Sequence, residues 1–389
     1  MNFADRMSRL GTESAFEVLV KARALEAQGH DVVHLEIGEP DFDTPEHIVA
    51  AGQKALSGGL THYGPSAGMA NLREAIAKYI SASRGINAHP DQVVVTPGAK
   101  PIMFYAMLAL AQEGDEVIFP NPGFPIYESV IRFVGAKPVS VPLIEKRDFS
   151  FDVNQLHDLI TDKTKLIILN SPQNPTGGII PEADLKAIAE IAVKHQIPVL
   201  ADEIYSRMIY DGAFASISGY DGMQDLTIIL DGFSKTYAMT GWRIGYGVMP
   251  KALAAQMTRL MVNSNSCTAS FTQQAAVAAL TGPQDDSEKM MAEFKRRRDF
   301  FIAGLNAIPG ISCRMPAGAF YAFPNITGLK KTSRQVADAF LYEGHVASLS
   351  GEDFGKHGEG YVRFSYANSL ENLEKALGRI RTCAEKMLG

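Results

Sequence analysis

The middle of the chain alternates short β-branched runs with helical stretches. Residues 93–96, 116–119, 165–169, 198–201, 227–230 and 244–248 read as strands. Most are continuous apolar runs, the pattern of strands buried on both faces. Residues 100–111 read as a strongly apolar helix. Residues 181–196 read as a second, with proline near its start and an apolar face of Leu185, Ile188 and Ile191. This βαβ alternation predicts a mostly parallel sheet covered by helices. The pattern changes toward the C-terminus. A long helix is predicted over 286–307, short strands over 319–323 and 361–366, and a closing helix over 370–386. The expected architecture is therefore α/β, with a large domain over 41–285. A smaller α+β domain is expected from residues 1–40 and 286–389 together. No internal repeat or low-complexity segment breaks this plan.

Composition narrows the picture without redirecting it. The chain has 389 residues, 46% hydrophobic and 21% charged, enough for two domains and a large core. The net charge of -6 argues against a general nucleic-acid or anionic-membrane surface. The one dense basic run, Lys295-Arg296-Arg297-Arg298 after Glu293, reads as the solvated face of the long helix. Cys267, Cys313 and Cys383 lie far apart, with neither zinc spacing nor a disulfide framework, so no metal is expected. That usage fits a reducing cytoplasm. The first residues lack an apolar leader core, and no apolar run approaches the roughly 20 residues of a membrane span. A cytoplasmic location is the expectation.

Ligands of open α/β sheets bind beyond the carboxyl ends of the strands. After the first strand comes Pro97-Gly98-Ala99-Lys100, a glycine turn into a helix whose free N–H groups suit a phosphate. After 165–169 come two prolines flanking Asn174. After 198–201 come Asp202, suited to a cationic ring nitrogen, and Tyr205, expected on the same helical face. After 227–230 come Ser234 and Lys235, whose amine desolvation would free as a nucleophile. Arg243, eight residues on, could fork onto a phosphate. Each piece alone is also an ordinary turn, cap or surface arginine. Together they are the parts that hold pyridoxal phosphate: phosphate anchors, a pyridinium partner and a lysine for a Schiff base.

The full set of motifs resembles the class I/II aminotransferases of the fold-type I pyridoxal-phosphate enzymes. It looks most like their bacterial aspartate-aminotransferase-like subgroup. The likeness runs through GEPDFDTP at 38–45, THYGPSAG at 61–68, NSPQNPTGG at 170–178 and ADEIY at 201–205. It continues through FSKTYAMTGWRIGY at 233–246, GAFY at 318–321 and VRFSYA at 362–367. The resemblance implies that Lys235 bonds the cofactor and later shuttles a proton. It implies that Asp202 holds the ring nitrogen protonated, that Tyr205 and Asn174 bond the ring oxygen, and that Phe124 stacks on the ring. Ala99, Lys100, Ser234 and Arg243 match phosphate-contacting positions. Tyr63 matches a tyrosine that reaches the neighbouring subunit's phosphate, which implies a homodimer with shared sites. Arg363 would clamp the substrate α-carboxylate, helped by the Gly38 N–H. The substrates implied are amino acids and 2-oxo acids.

Side-chain specificity is read less directly. Lys100 matches a lysine that meets a distal carboxylate in some relatives, which favours acidic substrates. Glu13 would repel a second carboxylate if it pointed inward. Phe16, Phe104, Phe124 and Tyr321 could line an apolar pocket. The expected activity is transamination of broad or aspartate specificity, with glutamate and 2-oxoglutarate as one pair. A C–S lyase or other elimination on the same fold is the alternative, since fold does not decide reaction. A DNA-binding regulator is not expected, because no basic recognition helix is read.

Overall fold

The computed structural model describes residues 1–389. Seven strands form the main sheet: β1 (Val93–Thr96), β2 (Glu116–Asn121), β3 (Lys137–Pro142), β4 (Thr164–Asn170), β5 (Val199–Asp202), β6 (Thr227–Gly232) and β7 (Gly245–Val248). Their spatial order is β1-β7-β6-β5-β4-β2-β3. Every pairing is parallel except those of β7, which runs against β6 and β1. The predicted α/β class and mostly parallel sheet are thus observed.

Alternate side chains explain the continuous apolar runs. Val117, Phe119, Leu166, Ile168 and Leu200 join one core, with the helix Lys100–Leu110. Ile118, Ile167, Leu169 and Val199 join another, with the helix Glu182–His195. Both sheet faces are therefore dry, and period-2 alternation disappears from the sequence. On the Glu182–His195 helix, Leu185 and Ile188 are buried as predicted, but Ala189 and Ala192 complete the face and Ile191 is only partly covered. Strand β3 has no counterpart in the predicted set. It is a partly exposed edge carrying Pro138 and Pro142, residues that mask a strand signal and are tolerated only at an edge.

Both chain ends pack together. Val33–His34 pairs in parallel with Val346–Ala347. Val33 and Leu35 share a core with Phe301, Phe340 and Ile380. The two predicted late strands shrink to Tyr321–Ala322 and Val362–Ser365, which pair antiparallel.

One expectation is corrected. Only half of the basic run in the helix Asp285–Asn306 is solvated: the Lys295 and Arg296 side chains reach water, but Arg297 and Arg298 are only 7% and 3% exposed. The helical turn carries them inward beside Phe294 and Phe301. Arg297 pairs with Asp41 at 2.6 Å and Glu293 at 2.9 Å, and Arg298 pairs with Asp211 at 2.6 Å. Their guanidinium groups also lie over aromatic rings, Arg297 over Phe42 at 4.9 Å and Arg298 over Tyr210 at 4.8 Å. No helix is long and apolar enough to cross a membrane.

Candidate functional site

The carboxyl ends of β4, β5 and β6 open into a cleft of about 520 Å³. The reversal of β7 completes it. Because β7 runs antiparallel, its amino end lies at the same sheet edge, and Arg243 just ahead of it reaches the cleft. Lys235, Asp202, Tyr205, Asn174, Ser234, Ala99, Lys100, Phe124, Gly38 and Arg363 all line this space. Tyr63 does not. It is 90% exposed and stands apart from its own chain's cleft.

Lys235 follows β6 in a turn, and its Nζ donates to the Gly38 carbonyl at 2.5 Å. Burial lowers its pKa to about 8, against the carboxylates of Glu39 and Glu13, which favour its charge. Asp202 ends β5 and is 8% exposed. Burial raises its pKa to about 6, opposed by the Tyr127 hydroxyl donating at 2.5 Å and the Ile204 N–H at 3.3 Å. It is an ionised carboxylate at neutral pH that gains by meeting a cation. Tyr205 does not lie on a helix, as the sequence spacing had implied. It sits in a turn, and its hydroxyl meets that of Tyr321 at 2.8 Å. Tyr127 escaped the sequence reading, although the signal was present. It stands three residues after Phe124, and the turn closed by the Tyr127 N–H on the Phe124 carbonyl at 3.0 Å brings the two rings to 5.6 Å.

At the other end of the cleft the backbone approaches closely. Gly98 has φ +86, and a Cβ there would meet the Arg243 guanidinium carbon at 3.0 Å. Ala99 caps the helix Lys100–Leu110; Pro101 has no N–H and the Ile102 N–H donates to the Ala99 carbonyl at 3.0 Å, which leaves the Ala99 and Lys100 N–H groups to meet an anion. Ser234 and Arg243 line the same cleft. Such a cradle fits a phosphate. Lys100 is engaged differently. Its Nζ pairs with Glu13 at 2.6 Å and lies 5.3 Å above the Phe124 ring.

Arg363 stands on Val362–Ser365 and is 4% exposed, so it is no solvent-facing strand arginine. Its Nη1 donates to Asn174 at 3.0 Å and its Nη2 to the Glu36 carbonyl. The guanidinium lies 4.5 Å over the Tyr321 ring. Its Nε is buried with no partner, an orphaned charged donor that a carboxylate would satisfy. The NSPQNP loop is held for this purpose: Asn170 Oδ1 accepts the Asn174 N–H at 3.0 Å, and Asn170 Nδ2 donates to the Asp202 carbonyl at 3.1 Å.

Gly38 is confined by Tyr321. A Cβ there would overlap the tyrosine hydroxyl and sit 3.0 Å from Cζ, and Tyr321 is 1% exposed and tied to Tyr205. Gly38→Ala is expected to displace the ring on which Arg363 stacks. The KM for amino acids should rise about tenfold or more, the scale of a lost charged contact. Steady-state kinetics checks this, and an unchanged KM would mean that the segment moves freely.

The fold and the cleft together define an α/β protein that gathers a lysine amine, a buried carboxylate and two arginines along one cleft. The sequence model of the family described as Aminotransferase class I and II matches residues 30–380, and the chain belongs to that family. It is 42% identical to an aspartate aminotransferase of Pyrococcus abyssi, over 92% of this chain and 93% of that one. It is 38% identical to an aromatic-amino-acid aminotransferase of Thermococcus litoralis over the whole of both chains. The structure of a Thermus thermophilus aspartate aminotransferase with maleate superimposes with a TM-score of 0.95 at 36% identity, covering 98% of this chain and all of the other.

Proposed function

We propose that this aminotransferase depends on pyridoxal phosphate and exchanges the α-amino group between L-amino acids and 2-oxo acids. Glutamate and 2-oxoglutarate form one pair, and aspartate is among the other donors. The observation that carries this reading is the opposition of Lys235 and Asp202 in one cleft to Arg363 with its unpartnered Nε. The cofactor supplies an aldehyde for the amine and a ring that accepts the electrons left at the substrate's α-carbon.

The chain's own residues supply the rest. Ala99, Ser234 and Arg243 hold the phosphate. Asp202 keeps a proton on the ring nitrogen, since its carboxylate is ionised above about pH 6. Tyr205 and Asn174 bond the ring oxygen, and Phe124 covers one ring face. Arg363 orients the substrate through its α-carboxylate. Lys235 Nζ would anchor the cofactor and, once free, would move the proton at the substrate's α-carbon. Its lowered pKa keeps part of the amine neutral near pH 7–8, as a base requires.

The proposal includes a homodimer with shared sites, supported by an exposed Tyr63 that has no role in its own cleft. It includes a large domain over 41–285 and a small one from both chain ends, supported by the shared core of Leu35 and Phe340. A cytoplasmic setting accords with three free cysteines.

A half-reaction screen tests the reading. Holoenzyme mixed with single amino acids should convert spectrally to the amino form of the cofactor and release the matching 2-oxo acid. Glutamate and aspartate should react. Release of pyruvate with ammonia, and a regained starting spectrum, would instead indicate an elimination enzyme.

A further inference from the structure

Four cationic side chains line the cleft: Lys100, Lys235, Arg243 and Arg363. The aminotransferase reading, on which this inference rests, occupies three of them. Arg243 meets phosphate, Arg363 meets the α-carboxylate and Lys235 does the chemistry. A dicarboxylic substrate needs a cation for its second carboxylate, because a charge brought into a half-closed cleft without a partner is costly. Lys100 is the one left, and it is already paired with Glu13.

The pair is placed to be exchanged. Glu13 precedes the helix Ser14–Glu26 and caps nothing with its side chain. The strand of chain before it is pinned by the Gly11 N–H on Ser129 Oγ at 2.8 Å, which holds Glu13 at the cleft mouth. Glu13 makes no other hydrogen bond, and Lys100 has only Glu13 and the Phe124 ring. Their side chains are 22% and 47% exposed, so water reaches both. A pair in that setting is weak, and one carboxylate can replace another on the lysine at little net change in charge. Glu13 also faces the reacting centre, since its charge favours the protonated forms of Lys235 and Arg363. The Phe124 ring lies beside the pair, and Ala15, Phe16, Ile37 and Met103 add apolar lining to the same cleft.

We propose that Glu13 is a specificity-determining residue that holds Lys100 in an exchangeable ion pair across the side-chain subsite, so that one cleft serves two substrate classes. With an apolar or aromatic substrate the pair stays closed. The subsite is then neutral and walled by apolar side chains, and no lone ammonium is covered by the ligand. With a dicarboxylic substrate the distal carboxylate takes the place of Glu13 on Lys100 Nζ, and Glu13 turns to water. Glu13 thus competes with acidic substrates and with no others.

The test compares two unreactive probes of the same holoenzyme by calorimetry. Succinate and 3-phenylpropanoate share one carboxylate and differ in carrying a carboxylate or a phenyl ring at the far end. Glu13→Gln removes the competitor, so the Kd ratio of phenylpropanoate to succinate should rise about fivefold, the upper range for an exposed pair. Lys100→Met should lower that ratio about tenfold. In the Lys100→Met background the effect of Glu13→Gln on the ratio should shrink to the weak, screened repulsion between Glu13 and the second carboxylate. A ratio unmoved by Glu13→Gln overturns the proposal. So does an effect of Glu13→Gln that is undiminished without Lys100, because it would then be a general field. Failure of succinate to bind wild type and Glu13→Gln alike overturns it as well. The half-reaction screen separates the two levels. Amino-group exchange with an unmoved ratio removes only the exchangeable pair, whereas no exchange with any amino acid removes the aminotransferase reading and this inference with it.

Discussion

Lys235→Ala is expected to lower transamination about ten-thousand-fold, the full range of a positioned base, while leaving the fold intact. The side chain is partly buried, touches the Gly38 carbonyl and supports no core packing, so its removal costs little stability. Added primary amines should restore part of the proton transfer, but not the covalent attachment of the cofactor. Borohydride treatment followed by peptide mass analysis checks the anchor. The wild-type peptide containing Lys235 should carry the added cofactor mass, and the variant should carry none. An adduct on Lys100 instead would reassign the anchor. The pH dependence has a definite sign. Only the neutral amine attacks an aldehyde, and burial places the Lys235 pKa at about 8. Attachment of cofactor to cofactor-free protein should therefore speed up as pH rises from 6 and level off above about 8. A lysine of ordinary basicity would keep accelerating to about 10.

Arg84→Met is expected to destabilise the protein by about 3–5 kcal/mol, the cost of leaving buried charge without its partner. Arg84 Nε meets Glu203 at 2.9 Å and its Nη2 meets Asp231 at 2.7 Å, and all three side chains are at most 5% exposed. Nothing else charged compensates these carboxylates. Ser216 gives one hydrogen bond to Glu203, and the Gly232 N–H gives one to Asp231. Denaturant titration should show a lower midpoint at unchanged slope. Burial raises the Asp231 pKa to about 6, with Arg84 opposing that rise. Loss of Arg84 pushes it higher still. A carboxyl whose folded pKa is raised stabilises the fold when protonated and destabilises it as pH climbs through that value. The deficit of Arg84→Met should thus be smaller at pH 5 than at pH 8. Combining it with Glu203→Gln and Asp231→Asn should recover much of the loss, since the unpaired charges are then gone. Equal destabilisation at both pH values would mean that packing over Phe214, 4.8 Å from the guanidinium, dominates.

This triad lies directly under the cleft, because Glu203 follows Asp202 and Asp231 precedes the turn bearing Ser234 and Lys235. It was not legible in the sequence. Arg84 ends the helix Ala70–Arg84, and Glu203 and Asp231 are 119 and 147 positions away from it. Such pairings carry no local periodicity. The same limit explains Arg297 and Arg298, whose inward turn depends on Asp41 and Asp211 being brought alongside.

What the sequence determined by itself was the set of parts and their local setting. Apolar runs of four or five residues alternating with helical stretches read as strands dry on both faces, and the residues that follow parallel strands then lie along one sheet edge. That reasoning placed Gly98, Asn174, Asp202 and Lys235 around a common ligand from pattern and motif alone. The tertiary structure decided how those parts meet. The reversal of β7 delivers Arg243 to the edge, burial shifts Lys235 and Asp202 in opposite directions, and contact with Tyr321 sets Gly38 and Arg363. It also decided the state of the lysine with which the substrate question began: Lys100 is not a free cation but half of an ion pair with Glu13. Charge pairing is a property of distance, and the separation of 87 positions between Glu13 and Lys100 hides that distance until the chain is folded.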